Sequence, residues 1–382
     1  MTTEAPVLFE ERPTASGHRY GVARLNAEKT LNALTLEMID LLAAQMRAWA
    51  TDPGIALVLL EAAGERAFCA GADLHRLYAS IRAHQASDRR DDIRANDYAR
   101  DFFTREYRLD YAIHTFPKPV LCWGHGVVMG GGMGLMVGAS HRVVTEAVRI
   151  AMPEINIGLY ADVGGSWFLA RAPGRCGVFL ALTAAQLGAG DAIFAGLADR
   201  RIPHAGKPEI LAGLAAHAWT GDRVEDDAAL AALLDRFVEP EREPGPLRRH
   251  FDLVDAACRR PRWRDVVRAI SSLPHSDPWL ARAVETLAAG SPSTAGLSIA
   301  LQRRLVHASL AEVFRAELTA SLTCAARPDL AEGIRALLID KDRQPGWQPA
   351  TPDDVTDAWL DGFFRNPWAP AEHPLADLGV NG

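Results

Sequence analysis

The sequence predicts an α/β fold, a core of short strands and helices continued by an extended helical C-terminal region. Three observations carry that reading. Strand-length apolar runs alternate with helix-like segments through the first half, glycine-rich stretches punctuate that half, and from about Gly174 onward the pattern is helical. Strands alternating with helices point to an α/β architecture. At 382 residues the chain exceeds most single domains. The expected organisation is a core over residues 1–200 with a helical region over 201–382 packed on it.

The elements follow in order. His18–Leu25 reads as a strand. Thr35 is placed to cap a helix running through Trp49, because Leu36, Ile39, Leu42, Met46 and Trp49 recur at helical spacing. Asp52-Pro53-Gly54 ends it. Ile55–Leu60 is a continuous apolar run, as suits a strand buried on both faces. Pro119–Trp123 is another, and Arg142–Thr145 and Val148–Met152 read as two shorter strands. The charged segment between Arg76 and Tyr111, with Asp88-Arg89-Arg90-Asp91-Asp92 inside it, reads as a solvated helix or loop. Glu239–Pro246 is Pro-rich and charged and marks a linker. Beyond it, Trp279–Ala289 and Thr294–Arg304 are amphipathic helix candidates.

Composition narrows the partners. A net charge of -7 leaves no basic excess to neutralise phosphates, which argues against nucleic acid. Arginine supplies nearly all the positive charge, and with the many alanines this suggests a bacterial genome rich in G and C. Cys69, Cys122, Cys176, Cys258 and Cys324 are scattered and form no CxxC, so neither a disulfide framework nor a zinc site is expected. The N-terminal stretch MTTEAPVLFEERPTASG has acidic residues and no apolar h-region. No window approaches ~20 uninterrupted apolar residues. A cytoplasmic protein bound to no membrane is the expectation.

Four places carry chemistry. In Ala67-Phe68-Cys69-Ala70-Gly71-Ala72-Asp73-Leu74, small residues let backbone N–H groups approach a ligand, and Asp73 can brace the turn. In His125-Gly126-Val127-Val128-Met129-Gly130-Gly131-Gly132-Met133-Gly134, glycines between a strand and an apolar helix present free N–H groups at a helix N-terminus. One donor from each segment could form an oxyanion hole for a thioester carbonyl; a tight strand–helix joint is the plainer alternative. Neither GxxxxGK[ST], GxGxxG nor GxSxG occurs, which disfavours phosphate cradles and serine hydrolases. The third place, Ala151–Gly165, sets Glu154 and Asp162 in mostly apolar surroundings, where a carboxylate is costly without a role. Capping a helix or pairing with an arginine is the structural alternative for Glu154. The fourth is Glu106, in itself an ordinary helix-surface glutamate.

In this order, AFCAGADL, HGVVMGGGMGL and AMPEINIGLYADVGGSWFLAR resemble the crotonase (enoyl-CoA hydratase/isomerase) superfamily over roughly residues 7–200. The finer likeness is to its 3-hydroxyisobutyryl-CoA hydrolase branch. It extends through Ser291-Pro292-Ser293-Thr294 and Gly333–Asp342. The resemblance implies a crotonase-like core of ββα-type repeats, oxyanion donors at the N–H groups of Ala72 and Gly131, and a substrate site lined by Glu106, Gly131, Glu154 and Asp162. Glu154 and Asp162 would be catalytic. Arg24, Lys29, Ala70, Asp73 and Leu74 would contact CoA. Hydratases use two glutamates, and the first of these falls here on Gly134, while Asp162 stands where they carry glycine. The chain departs from the branch at Ala72 (more often glycine), at Ala161 (a proline), and in Asn26-Ala27-Glu28-Lys29, which lacks an Arg-Pro pair.

The activity so implied is hydrolysis of a small 3-hydroxyacyl-CoA, above all 3-hydroxyisobutyryl-CoA of valine catabolism, to the free acid and CoA. Glu154 would either attack the carbonyl, giving a mixed anhydride, or activate water. CoA would be part of the substrate, with no separate cofactor and no metal. A homo-oligomer is compatible with this reading, although the extra helices would cover surfaces other crotonases use for trimer contacts. An enoyl-CoA hydratase or isomerase and a non-catalytic CoA-binding protein are the alternatives.

Overall fold

The computed structural model describes residues 5–240 and 243–380. Of the expected linker Glu239–Pro246, residues 241 and 242 lie outside this range. The strands are β1 (Val7–Pro13), β2 (Arg19–Leu25), β3 (Ile55–Ala62), β4 (Ala67–Cys69), β5 (Val120–Gly124), β6 (Val127–Met129), β7 (His141–Val144), β8 (Arg149–Ala151) and β9 (Arg200–Arg201). They form a six-stranded sheet in the order β1-β2-β3-β5-β7-β9 and a three-stranded sheet in the order β4-β6-β8. In the larger sheet β1 pairs antiparallel with β2, and β2, β3, β5, β7 and β9 run parallel. β1, β4, β6 and β9 escaped the sequence: β1 and the two-residue β9 are edge strands whose side chains are mostly half-exposed or exposed, which weakens the apolar signal, and β4 and β6 are three residues each, inside the glycine-rich stretches.

Two compact units compose the chain. The first comprises Met1–Ala72, Leu109–Ile150 and Gln186–Arg248, and the second Asp73–Arg108, Ala151–Ala185 and Arg249–Gly382. The expected split at residue 200 is thus replaced by an interleaved one, in which each unit draws on both sides of that position.

The first unit is organised by the larger sheet. β3 is buried along its whole length, as its unbroken apolar run requires. Tyr20, Val22, Leu57, Leu59, Leu121, Trp123 and Val143 face one way and pack with Ile210 and Leu214 of helix Lys207–Ala216 and with Leu230 and Leu234 of helix Arg223–Asp235. Helix Leu36–Thr51 starts as read, with the Met38 N–H donating to Thr35 Oγ1 at 3.2 Å. It buries Met38, Ile39, Leu42, Met46 and Trp49, and Leu42 and Met46 line one small void with Ala23, Leu25 and Leu60. Alternate residues of β2 and β3 thus serve opposite faces.

The second unit is largely helical. The charged segment folds as helices Leu74–Gln85 and Asp97–His114. Helix Pro292–Arg304 is not amphipathic, since Pro292 to Ile299, Leu301 and Gln302 are all buried. Its capping Ser291 accepts from the Thr294 N–H at 3.3 Å and donates to Asp329 Oδ2 at 2.6 Å. All five cysteines are buried, and none forms a disulfide among the described residues. Among the described residues no helix is long and apolar enough to cross a membrane.

Candidate active site

Glu106 departs from the surface position its local sequence suggested, with only 2% of it exposed. Phe102, Phe103, Glu106, Tyr107, Asp110 and Ile113 share the buried side of helix Asp97–His114, a spacing of three and four residues that puts them on one face. Glu154 opens the 3-10 turn Glu154–Ile157. That turn ends at Gly158 with φ +73, where a Cβ would meet the backbone of Asp329 at 2.5 Å. At Gly333 a Cβ would likewise fall 2.4 Å from the Ile157 backbone, and Ser291 N–H donates to the Ile155 carbonyl at 3.2 Å. The two C-terminal signature segments therefore clamp the turn that carries Glu154.

Asp162 follows four residues on and is 4% exposed. Its neighbour Val163 takes φ +51, and Gly164 takes φ +84. A β-branched residue in that region is strained by about 1–3 kcal/mol and persists only where surroundings hold it. Glu317 holds it: its two carboxylate oxygens accept the Gly164 and Ser166 N–H groups at 2.8 and 2.9 Å. Glu317 lies on helix Leu310–Ala326 and is fully buried. One turn later Ser321 approaches the hydroxyls of Tyr107 and Tyr160 at 2.7 and 2.8 Å. Tyr107 reaches Asp162 Oδ2 at 2.7 Å, and Tyr160 donates to the Glu317 carbonyl at 2.8 Å.

The carboxyls of Glu106, Glu154 and Asp162 are thus brought together in the second unit, and each resists ionisation. Burial pushes Glu154 well above the ordinary carboxylate range, with the charges of Asp162 and Glu106 adding to it. Burial and then Asp162 do the same to Glu106. Burial raises Asp162 to about 7, against the hydrogen bond from Tyr107. Glu317 rises to about 8 through burial and the Asp162 charge, opposed by the two N–H donors. No cation is among the groups acting on Glu106, Glu154 or Asp162, so the arginine-pairing alternative for Glu154 falls away. Glu106 Oε1 and Glu154 Oε2 have no hydrogen-bond partner among the described residues. Unpaired acceptors are costly in a protein interior, and two on neighbouring carboxyls make this cluster the candidate ligand site.

These raised values fix a dependence on pH. The folded state keeps protons on Asp162 and Glu317 that the unfolded chain loses near its ordinary carboxyl values. The stabilisation is therefore complete below those values and is lost as pH rises through about 7 and about 8. Each group should contribute a fall of up to about 1.4 kcal/mol per pH unit inside its window. Urea midpoints should be lower at about pH 9 than at about pH 6, and the difference should shrink in Glu317→Gln. Equal midpoints would contradict it.

Ala72 and Gly131 belong to the first unit. β4 and β6 pair in parallel, so the chain leaves both strands at the same end, and these residues lie just beyond it. The Leu34 N–H donates to the Gly71 carbonyl at 2.8 Å and pins the first loop. Gly131 is the first residue of helix Gly131–Gly138, where an N–H has no intrahelical acceptor. The N–H groups of Ala72 and Gly131 find no acceptor among the described residues. Gly134 sits on the same helix, and a Cβ there would meet Asp110 Oδ1 at 2.8 Å.

The expected CoA contacts fare unevenly. Arg24 donates through Nε to Glu61 at 2.6 Å, and Lys207 pairs with the other Glu61 oxygen at 2.8 Å. Burial opposes the Glu61 charge, but Lys207 and Arg24 outweigh it and hold the carboxyl below its usual range. The Arg24 guanidinium, expected to contact CoA, thus also pairs with a buried carboxylate. Lys29 is exposed on the 3-10 turn Glu28–Thr30. Ala70 donates its N–H to the Leu31 carbonyl at 3.0 Å. Asp73 caps helix Leu74–Gln85 by accepting the His75 N–H at 3.1 Å, the bracing read from sequence. Sequence reasoning missed Tyr107, Tyr160, Glu317 and Ser321. The helical spacing of Tyr107 with Phe103 and Asp110 was a usable signal; the last two carried none.

A family model described as enoyl-CoA hydratase/isomerase matches residues 20–364. The mitochondrial 3-hydroxyisobutyryl-CoA hydrolase of Gallus gallus is 34% identical over 361 residues, 94% of this chain and 89% of that protein. Its Homo sapiens counterpart is 33% identical, covering 91% and 86%. An enoyl-CoA hydratase from Rhodobacter sphaeroides 2.4.1 superposes with a TM-score of 0.81 at 34% identity, covering 95% of this chain and 98% of that one. A carnitinyl-CoA dehydratase from Mycobacterium thermoresistibile has the same score and identity, with 96% and 98% covered. The hydrolase relatives are named as mitochondrial, which overturns the cytoplasmic location expected from sequence. With the match running through both units and both carboxylate-bearing turns, the chain belongs to the enoyl-CoA hydratase/isomerase family.

Proposed function

We propose that this chain hydrolyses 3-hydroxyisobutyryl-CoA to 3-hydroxyisobutyrate and CoA. One observation carries the choice within the family. Glu154 and Asp162 lie buried together, whereas Gly134 stands at the position of the first hydratase glutamate and is closed by the Asp110 carboxyl. The names of the hydrolase relatives support the same reading. The N–H groups of Ala72 and Gly131 receive the thioester oxygen as it becomes an oxyanion. Glu154, once ionised, either attacks the carbonyl carbon, with the C–S bond breaking and water then hydrolysing the mixed anhydride to the free acid and Glu154, or takes a proton from a water that attacks the carbonyl carbon and displaces the sulfur directly. Asp162 supplies a proton to the departing CoA sulfur, and Glu106 holds the substrate hydroxyl. The scheme uses only groups of this chain. Thiol release should be about 10⁴-fold faster from 3-hydroxyisobutyryl-CoA than from isobutyryl-CoA, because the des-hydroxy analogue leaves buried carboxyls unpaired. Crotonyl-CoA should keep its enoyl absorbance. Equal release from the two saturated thioesters, or rapid loss of that absorbance, would overturn the proposal.

A further inference from the structure

A row of oxygen atoms runs from Asp162 into helix Leu310–Ala326. Asp162 Oδ2 lies 2.7 Å from the Tyr107 hydroxyl, Tyr107 lies 2.7 Å from Ser321 Oγ, Ser321 lies 2.8 Å from the Tyr160 hydroxyl, and Tyr160 lies 2.8 Å from the Glu317 carbonyl. These are four contacts at hydrogen-bond length, and each needs one hydrogen between its oxygens. Three hydroxyls supply three hydrogens, and the carbonyl at the far end supplies none. Among the described residues the three hydroxyls have no other polar partner. A contact without a hydrogen sets lone pairs against each other in a buried place, which is costly. The fourth hydrogen can come only from the carboxyl.

We infer that Asp162 is a neutral carboxylic acid in the free protein, that Ser321 and Tyr160 are positioning residues that keep its proton in place, and that Tyr107 passes their effect to the carboxyl. Asp162 then donates to Tyr107, Tyr107 to Ser321, Ser321 to Tyr160, and Tyr160 to the Glu317 carbonyl. Loss of the proton reverses Tyr107 and leaves one contact bare. The titratable groups that feel Asp162 are Glu106, Tyr107, Glu154, Tyr160, Glu317 and Cys324, and no cation is among them. Burial acts in the same direction and raises this carboxyl to about 7. The inference rests on the hydrolase reading only in treating Asp162 as part of the reacting site, where a neutral acid suits a proton donor to sulfur.

Counting hydrogens gives opposite signs for different members of the row. In Tyr160→Phe two contacts and two hydroxyl hydrogens remain, so ionised Asp162 completes the row. The same holds in Ser321→Ala. In Tyr107→Phe the carboxyl loses its donor altogether. The test is titration of the carboxyl in protein labelled with [4-¹³C]aspartate, following the ¹³C signal that is absent from Asp162→Asn. The wild-type signal should titrate near neutral pH. Tyr160→Phe and Ser321→Ala should lower the midpoint by about one pH unit, and Tyr107→Phe should raise it. Simple loosening of the interior would move all three toward the ordinary carboxylate range. A common direction of shift, or a wild-type midpoint in that range, overturns the inference. The readout is independent of turnover. Opposite shifts without hydrolysis would leave the inference standing and remove the proposed function; hydrolysis with an ordinary midpoint would do the reverse.

Discussion

Glu154→Gln is expected to lower thiol release by about 10³-fold or more while leaving acyl-CoA binding largely intact. The side chain keeps its size, so the buried 3-10 turn and its contacts with Gly158 and Gly333 are preserved. The loss is specific to ionisation, since both nucleophile and general base need a carboxylate. The free carboxyl resists ionisation because it is buried beside Asp162 and Glu106, so the wild-type rate should climb with pH as the acting form is populated and fall again once Asp162 loses the proton it donates. Asp162→Asn should also slow release, and the double variant should lose less than the product of the two effects, as groups working as one unit do. Single-turnover thiol release with binding followed calorimetrically separates the terms. Near wild-type release from Glu154→Gln would remove Glu154 from the chemistry.

Gly134→Glu should destabilise the fold by about 3 kcal/mol or more. The change places a Cβ 2.8 Å from Asp110 Oδ1 and 2.9 Å from its other oxygen. It also adds a second carboxyl beside one that has no exposed surface. Gly134→Ala isolates the steric part and should cost less. Denaturant midpoints measure both, and crotonyl-CoA hydration tests for gained activity. A stable Gly134→Glu protein that hydrates crotonyl-CoA would mean that the missing carboxylate alone separates the two reactions in this chain.

The strands β2, β3, β5, β7 and β8 and helix Leu36–Thr51 were legible because burial on one face or two leaves a local apolar period in the sequence. The turn bearing Glu154 and Asp162 was legible as carboxylates in an apolar stretch. Glu106 was misread as exposed although Phe102, Phe103 and Tyr107 flank it at helical spacing; the charged residues on the opposite face dominated the local composition. Glu317 and Ser321 were out of reach for a different reason. Nothing near them in sequence records that Gly164, 153 residues earlier, needs an acceptor, or that Tyr107, 214 residues earlier, needs a hydroxyl. The ion pair of Arg24 was out of reach likewise, because its partner Glu61 lies 37 residues away across a parallel strand pair.

The second unit is stitched from three separate stretches of chain, and this has a consequence during synthesis. Glu106, Glu154 and Asp162 leave the ribosome well before Glu317. At roughly 5–20 residues per second, the 153 residues between Gly164 and Glu317 take on the order of ten to thirty seconds to translate. Throughout that interval water, not Glu317, serves the N–H groups of Gly164 and Ser166, the turn at Val163 is not held, and the three carboxyls are not yet buried against helix Leu310–Ala326. A nascent chain that already carries every carboxylate assigned to the proposed chemistry is therefore expected to be inert until helix Leu310–Ala326 has been made.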